Sequence, residues 1–306
     1  MWVRYPRSRS LNRTLDVPGP YGHGMSEWDL LVDRVDFGEG PRWRDGALWY
    51  SDFYQRAIYR VTLDGERTAV FSDLDDRPSG LGWLPDGTLL AVFMTSRRLM
   101  CDGGDGTLVE HADLSDVAAW HCNDMVVDAT GNAYVGNFGF DLEARAEFAT
   151  ADLALVRPDG SVSVAAEALA FPNGSVITPD GSTLIVGQTF GGDYVAFTIG
   201  DDGALTDRRQ WAAIPGTAPD GCTLDAAGGI WFSDALGSAV IRVEEGGAVT
   251  DRVETPHPSF ACLLGGDDGR TLFALCAPGS HPDEVAGQAA GAIYMRTVKH
   301  PHAGRP

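Results

Sequence analysis

Apolar and polar positions alternate along most of this chain in short β-rich runs, each closed by a glycine turn. The turns are Asp45-Gly46, Asp86-Gly87, Thr130-Gly131, Asp180-Gly181, Ala227-Gly228 and Asp268-Gly269, at steps of about 41, 44, 50, 47 and 41 residues. After each turn comes an apolar or aromatic run: Ala47–Asp52, Thr88–Val92, Asn132–Gly136, Thr183–Gly187, Gly229–Asp234 and Thr271–Leu275. A third run follows in five of the six units, at Ala57–Val61, Ala154–Val156, Tyr194–Phe197, Ala239–Val243 and Ala292–Met295. Further turns at Asp64-Gly65, Asp159-Gly160 and Asp202-Gly203 lead to an outer strand. Such runs bounded by Asp-Gly are hairpin signals. A period of this length fits a four-stranded propeller blade; a β-solenoid has shorter repeats. The expected fold is all-β, a six-bladed β-propeller with four-stranded antiparallel blades. Trp28–Val32 is placed to close the ring by pairing near Tyr294–Val298. Asp141–Ala151 is the one segment with a helical period, and a short helix is expected there.

One polar position repeats. Seven or eight residues before each turn glycine stand Glu39, Ser79, Asn123, Asn173, Asp220 and, in the last unit, the Ala261-Cys262 pair. Side chains at one phase of a radial repeat converge on its axis. Four of them, Glu39, Asn123, Asn173 and Asp220, carry carboxylates or carboxamides, and converging oxygen ligands describe a site for a hard cation. Asp and Asn before Gly are also ordinary turn residues, but turn chemistry alone would not select one phase. Asp124 follows Asn123 and by strand alternation should point away from the axis, in a structural role.

Composition narrows the partners. The formal net charge of −20 argues against nucleic acid and anionic membrane surfaces. No run is long enough to span a bilayer. Arg4, Arg7, Arg9 and Arg13 precede no apolar core of a secretion signal. Residues 1–24 are therefore expected to be a dispensable extension, residues 25–300 one domain, and residues 301–306 a tail, with the chain fraying from His300 on. The five cysteines, Cys101, Cys122, Cys222, Cys262 and Cys276, show no CxxC spacing. They are expected to be free, buried packing residues in a reducing, cytoplasmic compartment.

The strings Glu39-Gly40-Pro41-Arg42-Trp43, Asn123–Asp128, Pro172-Asn173-Gly174 and Pro219–Asp225 occur in this order at one phase of the repeat. Together they resemble the signature segments of the SMP-30/gluconolactonase/LRE-like family, across about Trp28 to Val298. The resemblance implies a six-bladed propeller with one divalent cation in its channel and hydrolysis of lactones. It makes Glu39, Asn173 and Asp220 the metal ligands and places Asn123 against substrate or cation-bound water. The expected chemistry is cation-assisted ester hydrolysis, with Asp220 as general base and Asn123 as its catalytic companion. The all-oxygen set favours calcium, with magnesium, manganese or zinc as alternatives. No GxSxG motif points to a serine esterase.

His121 stands where sugar lactonases of the family often carry an arginine, and Phe53, Phe93, Met94, Trp120, Phe138, Phe140 and Phe190 lie in nearby loops. His121, Asp141, Phe138 and Phe190 are thus candidate substrate contacts, in a pocket suited to a less hydroxylated small-molecule lactone or ester. Packing between blades is the competing role for the aromatic residues, and capping of a helix that for Asp141. Two other function classes stay open: a non-catalytic binding propeller and a strictosidine-synthase- or paraoxonase-like enzyme. A monomer or small homo-oligomer is expected.

Overall fold

A computed structural model describes residues 28–306; the expected N-terminal extension lies outside the described residues. Six four-stranded antiparallel sheets surround one axis. The innermost strands are Gly38–Arg44, Pro78–Trp83, Cys122–Val127, Pro172–Ile177, Pro219–Leu224 and Ser259–Gly265. The sixth sheet has the order Ser259–Gly265, Thr271–Cys276, Gly291–Thr297, Asp29–Val35. Asp29 pairs with Met295 and Leu30 with Tyr294, so the ring closes through the strand that precedes the first blade. The protein is a six-bladed β-propeller. In the second blade the third strand is Arg98–Asp102, whose charged residues hide it from the apolar pattern.

Burial follows the radial plan. Six apolar clusters each lie mainly between two adjacent blades; one joins Tyr194 and Trp211 of the fourth blade to Phe232 and Ile241 of the fifth. Close packing of these layers is the main stabilising term of a fold with few local contacts. A seventh cluster, with Phe37, Phe53, Met94, Phe260 and Val285, covers part of one end of the ring. All five cysteines are free; four are buried and Cys101 is half-buried. No helix among the described residues is long and apolar enough to cross a membrane.

Two expectations fail. Asp141–Ala151 is not a helix: Leu142–Arg145 forms a turn and the chain then runs without regular structure to Thr150. Arg145 takes a φ of 55°, and Leu142 and Phe148 remain 38% and 46% exposed. The segment has helix formers but no neighbour against which to bury an amphipathic face, and a short helix gains most of its stability that way. The helix that does form is one turn, Pro282–Val285, which drops Val285 into the seventh cluster. The end of the chain does not fray. Ile177 and Arg305 exchange backbone hydrogen bonds of 2.8 and 2.9 Å, and Ala303 N donates to Leu224 O at 2.9 Å. The last residues thereby join the lower ends of two inner strands.

Candidate active site

All six inner strands lose register with their neighbours just after their first residues, between Glu39 and Arg42, Pro78 and Leu81, Cys122 and Met125, Pro172 and Ser175, Pro219 and Cys222, and Ser259 and Ala261. A bulge re-aims the side chain beside it, and here the bulges fall at the repeating polar position. Glycine follows that position where neighbouring strands approach most closely. A Cβ on Gly174 would stand 2.4 Å from Asp220 O, and one on Gly80 2.5 Å from Met125 N. The inner strands can therefore crowd the axis only with glycine at these places.

Of the side chains expected from the repeat, Glu39, Asp220 and Asn173 act on one another there. Glu39, Asn123 and Asn173 are each 5% exposed, and Asp220 is half-buried. Loss of solvent raises the Glu39 carboxyl well above its usual value, with Asp220 and Asp124 adding to the effect. The same loss pushes Asp220 up to about 8, against a hydrogen bond from the Asn173 amide. Neither carboxylate has a salt-bridge partner among the described residues. Arg42, which acts on Glu39, is held by Asp124 at 2.9 Å in a buried ion pair. Asp124 thus holds Arg42, but it also acts on Glu39 and Asp220 and so does not stand apart from the axis as alternation suggested. Asn123 occupies the matching register on the third inner strand, one residue before it.

Two carboxylates that repel each other, one buried and one half-buried, are costly without a cation, and a divalent ion between them would remove the repulsion. Their donor atoms fit one: among the described residues Glu39 accepts only from Gly40 N at 3.2 Å, and the neighbouring Ser79 Oγ is buried without a partner. Among the described residues no group of three or more His, Cys, Asp or Glu is placed to hold a metal. The candidate set is therefore mixed, two carboxylates and a carboxamide.

Supporting residues escaped the sequence pattern. Asn173 Nδ2 donates to Thr189 Oγ1 at 3.1 Å, and Thr189 donates to Pro219 O at 2.7 Å, which ties the carboxamide to the strand that carries Asp220. The loops entering the ligand strands are held by side chains at the far ends of the second strands. Asp52 accepts from Asp36 N and Phe37 N, Gln188 from Ala170 N and Asp234 from Ala218 N. Ser51-Asp52 and Ser233-Asp234 recur at one phase, a signal that would have found two of these three.

The candidate substrate contacts separate into groups. His121 is half-buried, stacked on Trp120 at 5.2 Å and tilted against Phe138 at 6.0 Å. Its Nδ1 has no partner, and burial lowers its pKa below the ordinary 6.5, so the imidazole is neutral at pH 7. Phe138 stacks on Phe171 at 4.5 Å, and Phe190 is 51% exposed. Phe53, Phe93, Met94 and Phe140 are buried and pack. The Asp141 carboxylate accepts from Ala144 N at 2.8 Å and so caps the 142–145 turn.

A model of the SMP-30/Gluconolactonase/LRE-like region matches residues 37–277, every strand that supplies the site. The chain belongs to this family. It is 27% identical to the pentonolactonase XacC of Haloferax volcanii over 88% of its length and 92% of the relative's. It is 26% identical to the L-arabinolactonase of Azospirillum brasilense over 91% and 94%. Among solved structures, the calcium-binding protein regucalcin from Agrobacterium tumefaciens superposes with a TM-score of 0.76 at 23% identity, over 90% of this chain and 95% of that one. That likeness speaks for the fold of this family member; its chemistry rests on the residues above.

Proposed function

We propose that this family member is a divalent-cation-dependent lactonase that opens a cyclic ester to a hydroxy acid. The observation that carries the proposal is the pair of carboxylates, buried Glu39 and half-buried Asp220, that act on each other beside the Asn173 amide with no salt-bridge partner among the described residues. Lactonases among its relatives support the same reaction, and a calcium-binding structural neighbour supports a divalent ion, calcium first on donor chemistry. Glu39, Asn173 and Asp220 would hold the cation. When bound, it supplies a positive charge that polarises the ester carbonyl and stabilises the oxyanion formed on attack.

The chain's own residues do the rest. Asp220 takes a proton from the attacking water as the new carbon–oxygen bond forms, and returns one to the ring oxygen as the ester bond breaks. Glu39 contributes charge and holds position. Asn173, fixed by Thr189, contributes a neutral oxygen. Asn123 orients the lactone through its amide, and His121 presents an uncharged edge.

The test is hydrolysis of a lactone panel by protein stripped with chelator and refilled with calcium, magnesium, manganese or zinc. Activity should vanish on stripping and return with the cation. Asp220→Asn should lower kcat by about a hundredfold or more, and Glu39→Gln should weaken cation binding in calorimetry. Undiminished activity in chelator, or in both variants, would refute the proposal.

A further inference from the structure

Five phenylalanines form one connected cluster at the site's end of the channel. Ring centroids are 4.5 Å apart for Phe138 and Phe171, 5.3 Å for Phe171 and Phe190, 5.6 Å for Phe148 and Phe190, and 5.5 Å for Phe140 and Phe190. The cluster is attached to the site at three points. Phe138 N donates to the carbonyl of His121, two residues before Asn123, at 2.9 Å. Phe171 lies two residues before Asn173. Phe190 follows Thr189, whose hydroxyl holds the Asn173 amide. The rings therefore continue the wall of the site between the third and fourth blades.

Two features separate this cluster from core packing. Phe148 and Phe190 lie tilted against each other yet remain 46% and 51% exposed. Phe171 holds a φ of 64°, in the left-handed region that bulky residues seldom occupy. Such strain persists where the surroundings hold it, commonly at ligand sites, and here it sets the Phe171 ring beneath Phe190. Arg77 and Glu143, two of the charges that act on His121, are paired with each other at 2.5 Å.

We infer that Phe148 and Phe190, backed by Phe138 and Phe171, form a subsite for an apolar substituent, an alkyl chain or aryl ring, on the lactone that the site opens. The inference rests on the lactonase proposal and names its substrate class. An apolar substituent laid on these rings removes exposed aromatic surface from water, which is favourable in proportion to the area covered. A hydroxylated substituent there gives up hydrogen bonds to water and meets rings that return none. Continuity with the site favours a substrate group over a protein partner as the occupant.

The experiment compares kcat/KM for an aryl-substituted γ-lactone, its unsubstituted parent and a pentono-1,4-lactone. Wild-type protein should prefer the aryl lactone to the pentonolactone by about tenfold or more. Phe148→Ala and Phe190→Ala, at half-exposed positions that leave the core intact, should each lower the ratio of aryl to parent lactone severalfold, and together about tenfold. Val249→Ala, exposed on an outer strand far from the mouth, should leave the ratio unchanged. Calorimetry with the corresponding aryl-substituted and unsubstituted γ-lactams, which resist hydrolysis, reads the subsite independently of turnover. If no lactone is opened but the aryl lactam binds better and loses that advantage in the double variant, the lactonase proposal fails and the subsite stands. A preference for the pentonolactone, an unchanged ratio in the double variant, or equal binding of the two lactams would overturn the subsite. So would a wild-type dimer that dissociates in the double variant, since the rings would then be a contact between copies.

Discussion

Arg42 shows how one side chain secures the interior of the channel. Its guanidinium donates to Leu81 O at 2.8 Å, Pro41 O at 2.7 Å and Asp124 Oδ1 at 2.9 Å, and also to Met125 O, so it joins three inner strands. It neutralises Asp124, one of three acids that act on each other across the axis. Arg42→Met keeps much of the volume and strands a buried carboxylate, which should cost about 3–5 kcal/mol. The shift in urea midpoint measures it. Arg42→Met combined with Asp124→Leu should recover most of the loss, because removing both partners leaves no buried charge; a double variant as unstable as the single would contradict this account. Glu39, Asn173 and Asp220 were legible in the sequence because the repeat fixes their phase. Arg42 sits in the same string as Glu39, but alternation along a strand cannot name a partner 82 positions away. Thr189 was illegible for a similar reason: it acts on Asn173 from the turn after the next strand, and the other blades carry no threonine at its place.

At the scale of strands, the spacing of inner strands decides whether the ligand set exists. Gly174 faces Asp220 O at 2.4 Å and Cys222 N at 2.7 Å, measured from where a Cβ would stand. Both are backbone atoms, so no rotamer change makes room. Gly174→Ala must push the fourth and fifth inner strands apart, carrying Asn173 away from Asp220. Such overpacking costs about 1–3 kcal/mol, and calcium affinity measured by titration calorimetry should fall as well. A Gly174→Ala protein that unfolds earlier in urea but binds calcium as wild type does would mean the strand gap does not set the ligand geometry. The hairpins themselves were readable, since Asp-Gly and alternating runs act locally. The bulges were not, because an extra residue in a strand leaves the apolar pattern almost unchanged. The expected helix at Asp141–Ala151 erred in the opposite direction. Its composition favours a helix, but the rings of Phe140 and Phe148 find partners in Phe190 and Phe171 instead, and tertiary contact overrides propensity.

For the whole molecule, the question is what keeps a ring of six blades shut. The closing strand was foreseen, because Trp28–Val32 alternates and the last blade needed a fourth strand. The docking of residues 301–306 was not, since a six-residue segment with two prolines and one glycine carries no periodicity. Backbone hydrogen bonds bind it to four places below the channel: His302 N to Gly269 O at 2.7 Å, Ala226 N to Pro301 O at 2.8 Å, Ala303 N to Leu224 O at 2.9 Å, and the Ile177–Arg305 pair. These positions lie on the fourth, fifth and sixth blades, so the segment spans two blade boundaries. His302 is half-buried, and burial lowers its imidazole pKa below the ordinary 6.5 despite a 2.6 Å contact with Pro306 O. Folding thus disfavours the protonated form. Above pH 6.5 both folded and unfolded states are neutral at this residue and its docking is at full strength. As pH falls from 6.5 through the lower folded value, the unfolded or undocked chain binds a proton that the docked one resists, and stability is lost. Hydrogen exchange at the amides of Ile177, Ala303 and Arg305 should therefore quicken, relative to core amides such as Val186, between pH 7.5 and pH 5 after correction for intrinsic rates. His302→Asn should flatten that dependence, because it keeps a polar group without a titrating one. If the relative protection of these amides is the same at both pH values in the wild-type protein, the segment is held by its backbone bonds alone and His302 has no part in closing the ring.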